Sequence, residues 1–221
     1  MNKKELFNLI AQKYDNINQA ISLFTHKRFK KESLSKLSIE PRTIVDLCCG
    51  TGDIVGILKT MFPDAKIVGV DFSKNMLDIA VERYPDIEFL QQDVAKLPFE
   101  DESVDMCTIS FGLRNVENME EVLQECSRIL KPDGIFFNLD LGKPNKFWNL
   151  FLKPYMYFVV PLLGKLACGH IAPLKYFVHS NENFPHPNEL KVIYEKFCLQ
   201  QISRKDFLFG QISSQICKKF K

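Results

Sequence analysis

A short glycine-containing run, Asp46-Leu47-Cys48-Cys49-Gly50-Thr51-Gly52-Asp53, governs how this 221-residue chain can fold. The run follows the apolar segment Thr43-Ile44-Val45. A second apolar segment that ends in aspartate, Val68-Gly69-Val70-Asp71, lies downstream. An apolar strand that passes through small residues into a helix exposes backbone at the carboxyl end of a parallel sheet, where open α/β folds bind ligands. Asp71 ends the second strand, and a carboxylate there can accept hydrogen bonds from both ribose hydroxyls. These features predict a nucleoside-cofactor pocket.

Acidic residues around the turn distinguish two classes of cofactor that use this arrangement. A dinucleotide site favours G-x-G-x-x-G, because the pyrophosphate then rests on the helix N-terminus. Here Val55 stands at the third glycine position and Asp53 at the helix start, where a carboxylate repels phosphate. S-adenosyl-L-methionine has no phosphate, and its sulfonium and ammonium groups are attracted by Asp46, Asp53 and Asp71. The run therefore favours this methyl donor, with a nicotinamide-dependent oxidoreductase as the alternative.

Length and composition predict one α/β domain with additions, because 221 residues that are 46% hydrophobic suffice for one well-buried core. The net charge of +2 produces no global field that favours nucleic acid, and we expect no nucleic-acid partner. Two basic clusters are interpreted as solvated faces, with attraction to an anionic membrane surface as the alternative. They are Lys27, Arg28, Lys30 and Lys31, and Lys218, Lys219 and Lys221.

The seven cysteines form no C-x-x-C pair, and the first residues contain no apolar signal region, so we expect a reduced, cytoplasmic protein. Four cysteines in apolar surroundings are predicted to be small core residues: Cys107, Cys126, Cys198 and Cys217. The adjacent pair Cys48-Cys49 is interpreted as small side chains against the cofactor. No metal is predicted, because the histidines lack metal-ligand spacing: His26, His170, His179 and His186.

Alternating apolar patterns predict right-handed βαβ crossovers and a parallel sheet. Strands are expected at 43–47, 66–70, 87–91, 104–110 and 135–139, with helices at 53–61, 74–84 and 119–130 between them. Two helices are expected within residues 1–40. The last part is predicted to be an antiparallel hairpin, with strands at 197–202 and 211–220 and a turn at Lys205-Asp206.

The segment 143–195 interrupts this alternation and is dense in aromatic residues. Its longest uncharged run, 154–164, is about half of the roughly 20 residues that a spanning helix needs, so we expect no membrane crossing. A buried lid and an apolar entrance for a lipid-like substrate, resting on a membrane surface, both remain open. We therefore divide a single domain, 1–221, into an N-terminal helical segment (1–40), a cofactor-binding core (41–142), an aromatic lid insertion (143–195) and a terminal hairpin (196–221).

Four segments carry a resemblance to a known family over nearly the whole chain. They are Asp46 to Asp53, Ser110-Phe111-Gly112-Leu113-Arg114-Asn115, Arg128-Ile129-Leu130-Lys131-Pro132-Asp133-Gly134, and Tyr14-Asp15-Asn16-Ile17-Asn18 with Ser22 and His26. A looser match is Tyr176-Phe177, Ser180 and Phe184-Pro185. Together they resemble the ubiquinone/menaquinone biosynthesis C-methyltransferases. The resemblance implies a Rossmann-like class I methyltransferase with a mostly parallel seven-stranded sheet, a terminal antiparallel hairpin, N-terminal helices and a helical lid insertion.

The chain departs from the family pattern at several positions. Phe29 replaces the usual tryptophan and Ile17 the usual methionine, both apolar exchanges. Asp140 replaces the glutamate after the fifth strand, which keeps the charge and shortens its reach. The closing segment 213–218 lacks the family's histidine. These departures concern the acceptor more than the methyl donor.

The resemblance implies transfer of a methyl group from S-adenosyl-L-methionine to a ring carbon of a polyprenylated quinol. Its template assigns close backbone approach to Gly50 and Gly52, the amino-acid end of the cofactor to Thr51 and the ribose to Asp71. Asp93 and Val94 receive the adenine, and Ser110 lies where cofactor and substrate meet. Asp46 completes the predicted cofactor-binding set.

Arg114 and Asn115 are the first candidates for quinol recognition or proton handling, because a cation lowers the pKa of a nearby phenol. The alternative is that Arg114 pairs with a carboxylate and Asn115 caps the next helix. Tyr14, Asp15 and His26 lie on a segment expected to fold over the cofactor, so Asp15 or His26 is a candidate base. Helix capping and surface hydrogen bonds are the alternative for this segment.

Other functions remain open from the sequence alone. The same fold can methylate a sterol, a phospholipid amine or a small metabolite, since the insertion selects the acceptor. A cofactor-binding sensor or scaffold without catalysis is a further alternative. The sequence distinguishes neither a naphthoquinol from a benzoquinol, with a slight preference for demethylmenaquinol, nor a monomer from a homodimer. Peripheral contact with the inner membrane face is likewise open.

Overall fold

The computed structural model describes residues 3–22, 24–162, 176, 180, 181 and 183–220. Predictions that concern His170, Phe177, His179 and Lys221 fall outside these residues. Seven strands form one sheet with the order β3-β2-β1-β4-β5-β7-β6. The strands are β1 (Thr43–Leu47), β2 (Lys66–Asp71), β3 (Glu88–Gln91), β4 (Val104–Ser110), β5 (Leu130–Leu141), β6 (Leu199–Phe207) and β7 (Ile212–Lys219).

The sheet is parallel from β3 to β5 and antiparallel at β7 and β6. The predicted fold class is therefore confirmed. The described helices are α1 (Lys3–Ile10), α2 (Tyr14–Ile21), α3 (His26–Leu34), α4 (Asp53–Met61), α5 (Lys74–Arg83), α6 (Met119–Ile129), α7 (Lys146–Pro154) and α8 (Pro187–Lys196). Among these residues no helix is long and apolar enough to cross a bilayer.

The central parallel strands bury both faces, as their apolar runs predict. In β1, Val45 and Leu47 enter the core on one side of the sheet, whereas Ile44 enters the core on the other. Ser73 and Asn118 cap α5 and α6 by accepting bonds from backbone N–H groups of the first turn. These caps end the loops that follow β2 and β4, so the loops remain at the carboxyl edge of the sheet.

The N-terminal segment contains three helices rather than the expected two. A 3₁₀ turn, Ala11–Lys13, separates α1 from α2, and α3 follows. The segment is tied to the core, because the Ser73 hydroxyl donates to Asn8 Oδ1 at 2.6 Å. Another buried contact joins Phe29 of α3 to Phe207, with ring centroids 5.1 Å apart. The helices therefore lie near the carboxyl edge of the parallel strands.

Three local predictions are wrong. The hairpin turn is not at Lys205-Asp206, which pair with Ser214 and Ser213, but at Leu208–Gly210. Leu208 and Phe209 turn the chain with left-handed backbone (φ 47° and 57°), which their side chains do not signal. The fifth strand begins at Leu130 and accommodates Lys131–Gly134 as an irregularity in its pairing. Cys198, predicted to be a core residue, is exposed and has a left-handed backbone (φ 58°) just before β6.

Candidate active site

The glycine run forms a tight turn between β1 and α4. Gly50 and Gly52 have φ values of 55° and 86°, which favour glycine. The Gly50 N–H donates to Asp71 Oδ2 and the Ser73 N–H to Asp71 Oδ1, both at 2.9 Å. Burial raises the pKa of Asp71, although these backbone donors partly oppose the rise. The ends of β1 and β2 are thus held together around one carboxylate.

A cavity of about 420 Å³ lies in front of this turn. Its volume is within the range of about 300–1,000 Å³ that is typical of small-molecule sites. Five of the predicted cofactor-binding residues line it: Gly50, Asp71, Asp93, Val94 and Ser110. Cys48 lines it as well, as expected for a small side chain. We call it the cofactor cavity.

Three other predicted cofactor-binding residues lie elsewhere. Asp46 and Thr51 line a smaller pocket of about 20 Å³, which we call the rear cavity. It shares Tyr14, Cys48, Gly50 and Ser110 with the cofactor cavity. The Thr51 hydroxyl donates to Asp15 Oδ1 at 2.8 Å and is therefore engaged with α2. Gly52 is the N-cap of α4, and a Cβ there would come within 3.0 Å of the Tyr84 ring. Its role is to shape the turn.

A second cavity of about 160 Å³, whose lining is mostly apolar, adjoins the cofactor cavity. We call it the apolar cavity. The two cavities share five lining residues: Phe7, Tyr14, Ser110, Phe111 and Asn115. The Ser110 Oγ is buried and has no hydrogen-bond partner among the residues that the structure describes. Because a buried hydroxyl without a partner is costly, this oxygen is suited to bind a ligand at the junction.

Arg114 lines the apolar cavity and forms an ion pair with a carboxylate. Its contact with a quinol stays a prediction. Its Nη1 lies 2.5 Å from Asp140 Oδ1, and the side chains are 6% and 1% exposed. Nη1 also donates to the Phe111 carbonyl at 2.9 Å. The shortened acid at position 140 therefore still reaches its partner, and the pair fixes the guanidinium beside the cavity.

Asn115 does not cap the following helix, because Asn118 does so. The Asn115 Nδ2 donates to the Phe111 carbonyl at 2.9 Å, and its Oδ1 accepts from the Tyr176 hydroxyl at 3.2 Å. Asn115 thus connects the loop after β4 to the segment 143–195. Its position at the junction of the two cavities is compatible with the predicted contact to a quinol.

Tyr14 and Asp15 are neighbours with different surroundings. Tyr14 lines the cofactor, apolar and rear cavities, and its burial raises the pKa of its hydroxyl. Asp15 lines none of these three cavities; it accepts from Thr51 and forms an ion pair with Arg83. The geometry therefore argues against Asp15 as a base, because its carboxylate holds α2 to the glycine turn.

His26 lines the apolar cavity and is 5% exposed. Its Nδ1 lies 3.0 Å from Ser22 Oγ, and its Nε2 lies 3.5 Å from Asp53 Oδ2. Lys30 Nζ approaches the same Asp53 oxygen at 3.1 Å. Burial opposes ionisation of Asp53, but His26 and the Lys30 charge outweigh it and lower its pKa. Asp53 is thus paired with two basic side chains of α3 and lines the rear cavity. Its attraction for the methyl donor stays a prediction.

Two polar residues of the apolar cavity are not predicted from the sequence. Lys30 is 6% exposed and lines this cavity, although the sequence places it in a solvated basic cluster. Its partner Asp53 is 23 residues away, so no local pattern reveals the burial. Gln211 also lines the cavity, and its buried Nε2 has no hydrogen-bond partner within the described ranges. Its position just before β7 gives no signal in the sequence.

The residues present fit S-adenosyl-L-methionine. Asp71 offers a carboxylate beside the cofactor cavity, and the unpartnered Ser110 oxygen lies where this cavity meets the apolar one. When bound, this group supplies an electrophilic methyl on a cationic sulfur. Asp71, Asp93 and Val94 would hold its nucleoside, and Tyr14 and Phe111 line both cavities where they meet. The apolar cavity would then present an acceptor to that methyl group.

Comparisons with known proteins agree with this geometry. The model of the ubiE/COQ5 methyltransferase family matches residues 2–219. Demethylmenaquinone methyltransferase of Chlamydia caviae is 34% identical over 98% of this chain and 95% of its own length. The protein of the same name from Leptospira interrogans is 35% identical over 98% of this chain and 92% of its own. The resemblance that the sequence motifs carry is confirmed.

Solved structures show the same fold. A SAM-dependent methyltransferase from Thermotoga maritima gives a TM-score of 0.71 at 19% identity, over 97% of this chain and 99% of that one. Geranyl diphosphate C-methyltransferase from Streptomyces coelicolor, solved with S-adenosyl-L-homocysteine, gives 0.65 at 14% identity, over 87% and 77%. A methyltransferase, and not a nicotinamide-dependent oxidoreductase, is thus supported at every level. The chain belongs to the ubiE/COQ5 methyltransferase family and is an S-adenosyl-L-methionine-dependent enzyme.

Proposed function

We propose that this enzyme methylates a ring carbon of a polyprenylated quinol, with demethylmenaquinol as the preferred acceptor. The observation that carries the proposal is the apolar cavity, which meets the cofactor cavity at Tyr14, Ser110 and Phe111. A quinol ring at this junction would face the methyl group, and its prenyl tail would occupy the apolar remainder. The names of the relatives support the naphthoquinol over the benzoquinol.

The polar residues of the apolar cavity match the chemistry of such a ring. A ring carbon becomes nucleophilic when an adjacent hydroxyl loses its proton, because electron density then reaches the ortho position. The Arg114 guanidinium, held by Asp140, would stabilise the resulting phenolate. Asn115 would orient a ring oxygen, and Tyr14 would close the site against water. Proximity and exclusion of water are the remaining contributions of the protein.

The proposal is tested with purified enzyme, labelled methyl donor and four acceptors. These are demethylmenaquinol, the corresponding demethylated benzoquinol, a phosphatidylethanolamine vesicle and a sterol. We expect transfer to the quinols, fastest to demethylmenaquinol, and none to the other two. Expression in hosts that lack either quinone methylation step tests the same choice in cells. Rescue of neither host, together with transfer to phospholipid or sterol, would contradict the proposal.

We further propose that residues 146–162 of the segment 143–195, which include α7, are a lid that rests on an anionic membrane surface. The end of the segment is not part of this lid, because α8 packs Leu190 and Tyr194 into the core. Leu152, Tyr155, Met156 and Val160 of this segment line the apolar cavity, whereas neighbouring apolar residues point outward. The outward set, which we call the outer apolar face, is 58–75% exposed: Phe147, Leu150, Phe151, Phe158 and Leu162. The face thus continues the cavity toward solvent, as delivery of a lipid tail requires.

The charge around the outer apolar face agrees with a bilayer as its partner. Lys146 and Lys153 are exposed on α7 beside it, and lysine near an anionic leaflet contributes about 1 kcal/mol of attraction. We expect sedimentation with vesicles that contain phosphatidylglycerol and weaker binding to phosphatidylcholine alone. The double variant Phe147→Ser/Phe151→Ser should lose binding, whereas Val192→Ser, an exposed apolar residue on α8, should not. Unchanged binding, or a homodimer that the double variant dissociates, would overturn the membrane assignment.

A further inference from the structure

The rear cavity contains a carboxylate to which the proposed reaction assigns no role. Asp46 is the last residue but one of β1 and is 1% exposed. Its Oδ1 accepts from the Thr108 hydroxyl at 2.6 Å, whereas its Oδ2 is buried without a hydrogen-bond partner within the part of the chain that the structure describes. A buried carboxylate oxygen in this state needs a partner, because its desolvation is otherwise uncompensated.

Ser110 and Asp46 lie on neighbouring strands of the sheet. Asp46 is in register with Thr108, and Ser110 is two residues farther along β4 on the same face. Asp46 and Ser110 both line the rear cavity, and Ser110 also lines the cofactor and apolar cavities. The two residues whose oxygens have no partner, Asp46 and Ser110, therefore line the same small space.

The rear cavity has room for about one water molecule, since its volume of about 20 Å³ exceeds the minimum of roughly 10–15 Å³. We propose that one water bridges Ser110 Oγ to Asp46 Oδ2, and that Asp46 through this bridge is the proton acceptor for the quinol hydroxyl. This inference rests on the proposed function. It replaces the expected role of Asp46 in binding the methyl donor.

Protons balance over the whole step. The quinol O–H bond breaks, and its electron pair stays on the oxygen. Ser110 accepts this proton while it passes its own to the water, and the water protonates Asp46 Oδ2. After the ring carbon has been methylated, its C–H proton leaves to solvent and restores the aromatic ring. Asp46 then returns its proton to the ring oxygen, so that one proton is released per turnover.

The electrostatics of the rear cavity agree with a carboxyl group that exchanges a proton near neutral pH. Burial raises the pKa of Asp46 to about 7, although the Thr108 hydrogen bond and the Lys30 charge oppose the rise. A general base works best when its pKa is near the working pH. The charged and titratable groups that surround Asp46 are Tyr14 on α2, Lys30 on α3, Cys48, Cys49 and Asp53 at the turn, and Asp71 on β2.

The test compares Asp46→Asn with Thr108→Val in the full-length enzyme. Asp46→Asn should lower turnover on the quinol about 100-fold or more, leave the affinity for S-adenosyl-L-methionine within a few-fold, and abolish the fall of turnover at acid pH. Thr108→Val removes the donor to Oδ1 outside the rear cavity, so it should move this acid limb to higher pH. Infrared spectroscopy of the wild type should show a carboxylic acid band that titrates near neutral pH and is absent from Asp46→Asn.

Several results would overturn the inference. Turnover of Asp46→Asn within threefold of wild type, or a more than tenfold loss of donor affinity with unchanged turnover at saturation, would assign Asp46 to structure or cofactor binding. An infrared band that survives in Asp46→Asn would exclude this carboxyl as its source. Failure of the proposed function has a separate signature, because the wild type itself would then methylate no quinol while Asp46 still titrates.

Discussion

Arg114 forms a buried ion pair with Asp140. We expect Arg114 to contribute both to the stability of the fold and to the proposed methylation. Replacing Arg114 with alanine leaves Asp140, which is 1% exposed, without its cation. We expect Arg114→Ala to lower the free energy of unfolding by about 3–5 kcal/mol. The same variant should nearly abolish methylation and leave donor affinity within a few-fold, because Arg114 does not line the cofactor cavity. Urea unfolding, calorimetry and a labelled-methyl assay measure the three quantities.

The double variant Arg114→Met/Asp140→Leu is the control that separates the two roles of this pair. Replacing both charges with apolar groups should restore most of the lost stability, since no uncompensated charge remains. Methylation should stay absent, because the cation is still missing. Strong turnover by either variant would remove Arg114 from the mechanism.

Single residues show where sequence reasoning reaches its limit. Gly50 and Asp71 can be assigned to the cofactor edge, because their positions follow directly from strand ends. Lys30 cannot, since its burial depends on Asp53 and on how α3 packs. Thr51 is predicted to bind the cofactor, but α2 brings Asp15 to its hydroxyl. The surroundings of Lys30 and Thr51 are determined by contacts between segments that are distant in the sequence.

At the level of elements, Asp53 at the start of α4 holds α3 in place through contacts with two buried basic residues of that helix. Lys30 and His26 are 6% and 5% exposed, so Asp53→Ala would leave both without their carboxylate. We expect α3 to detach, with faster amide hydrogen exchange in residues 26–34 and little change in β1 and β4. Hydrogen exchange followed by mass spectrometry resolves these segments.

The matched control for Asp53→Ala is Asp78→Ala. Asp78 pairs with Lys74 on α5, and both side chains are at least 60% exposed. Exposed pairs of this kind contribute about 0–1 kcal/mol, so exchange should remain as in the wild type. Equal exchange of α3 in both variants would show that the Asp53 cluster does not hold this helix.

The helices and strands of the core can be predicted, because their apolar runs indicate both the type of element and the residues at which it begins and ends. The helix at 53–61 and the strands at 43–47 and 104–110 have the predicted bounds in the structure. The hairpin turn lies at Leu208–Gly210 and not at the predicted position. The residue types of Lys205-Asp206 suggest a turn, whereas those of Leu208 and Phe209 do not. Phe209 stacks on Trp148 of α7 with ring centroids 3.6 Å apart, and this long-range contact accompanies the unusual turn.

For the whole molecule, the buried acids predict how stability depends on pH. The pKa of Asp46 is about 7 in the fold against an ordinary 3.8, so between these values the folded state binds more protons than the unfolded state. The free energy of unfolding should therefore fall as pH rises through this window, by up to about 4 kcal/mol. Asp71, whose pKa is also raised, acts in the same direction.

Urea unfolding of the cofactor-free enzyme at a series of pH values checks this sign. Asp46→Asn should flatten the slope between pH 4 and 7 relative to wild type. Asp53 contributes oppositely, because its lowered pKa gives stability that is lost only as pH falls below its ordinary value of 3.8. A wild-type protein that gains stability between pH 4 and 7, with an unchanged slope in Asp46→Asn, would contradict the assignment.

The strand order has a consequence for how the chain is assembled. β7 is synthesised after β6 but lies between β5 and β6 in the sheet. Both neighbours of β7 therefore leave the ribosome before β7 does. Until residues 212–219 have inserted, β5 keeps an open edge of buried apolar residues, and such an edge is a template for aggregation. The nascent protein is therefore prone to aggregation until β7 has paired with β5. A chaperone that covers the open edge of β5 would reduce this risk.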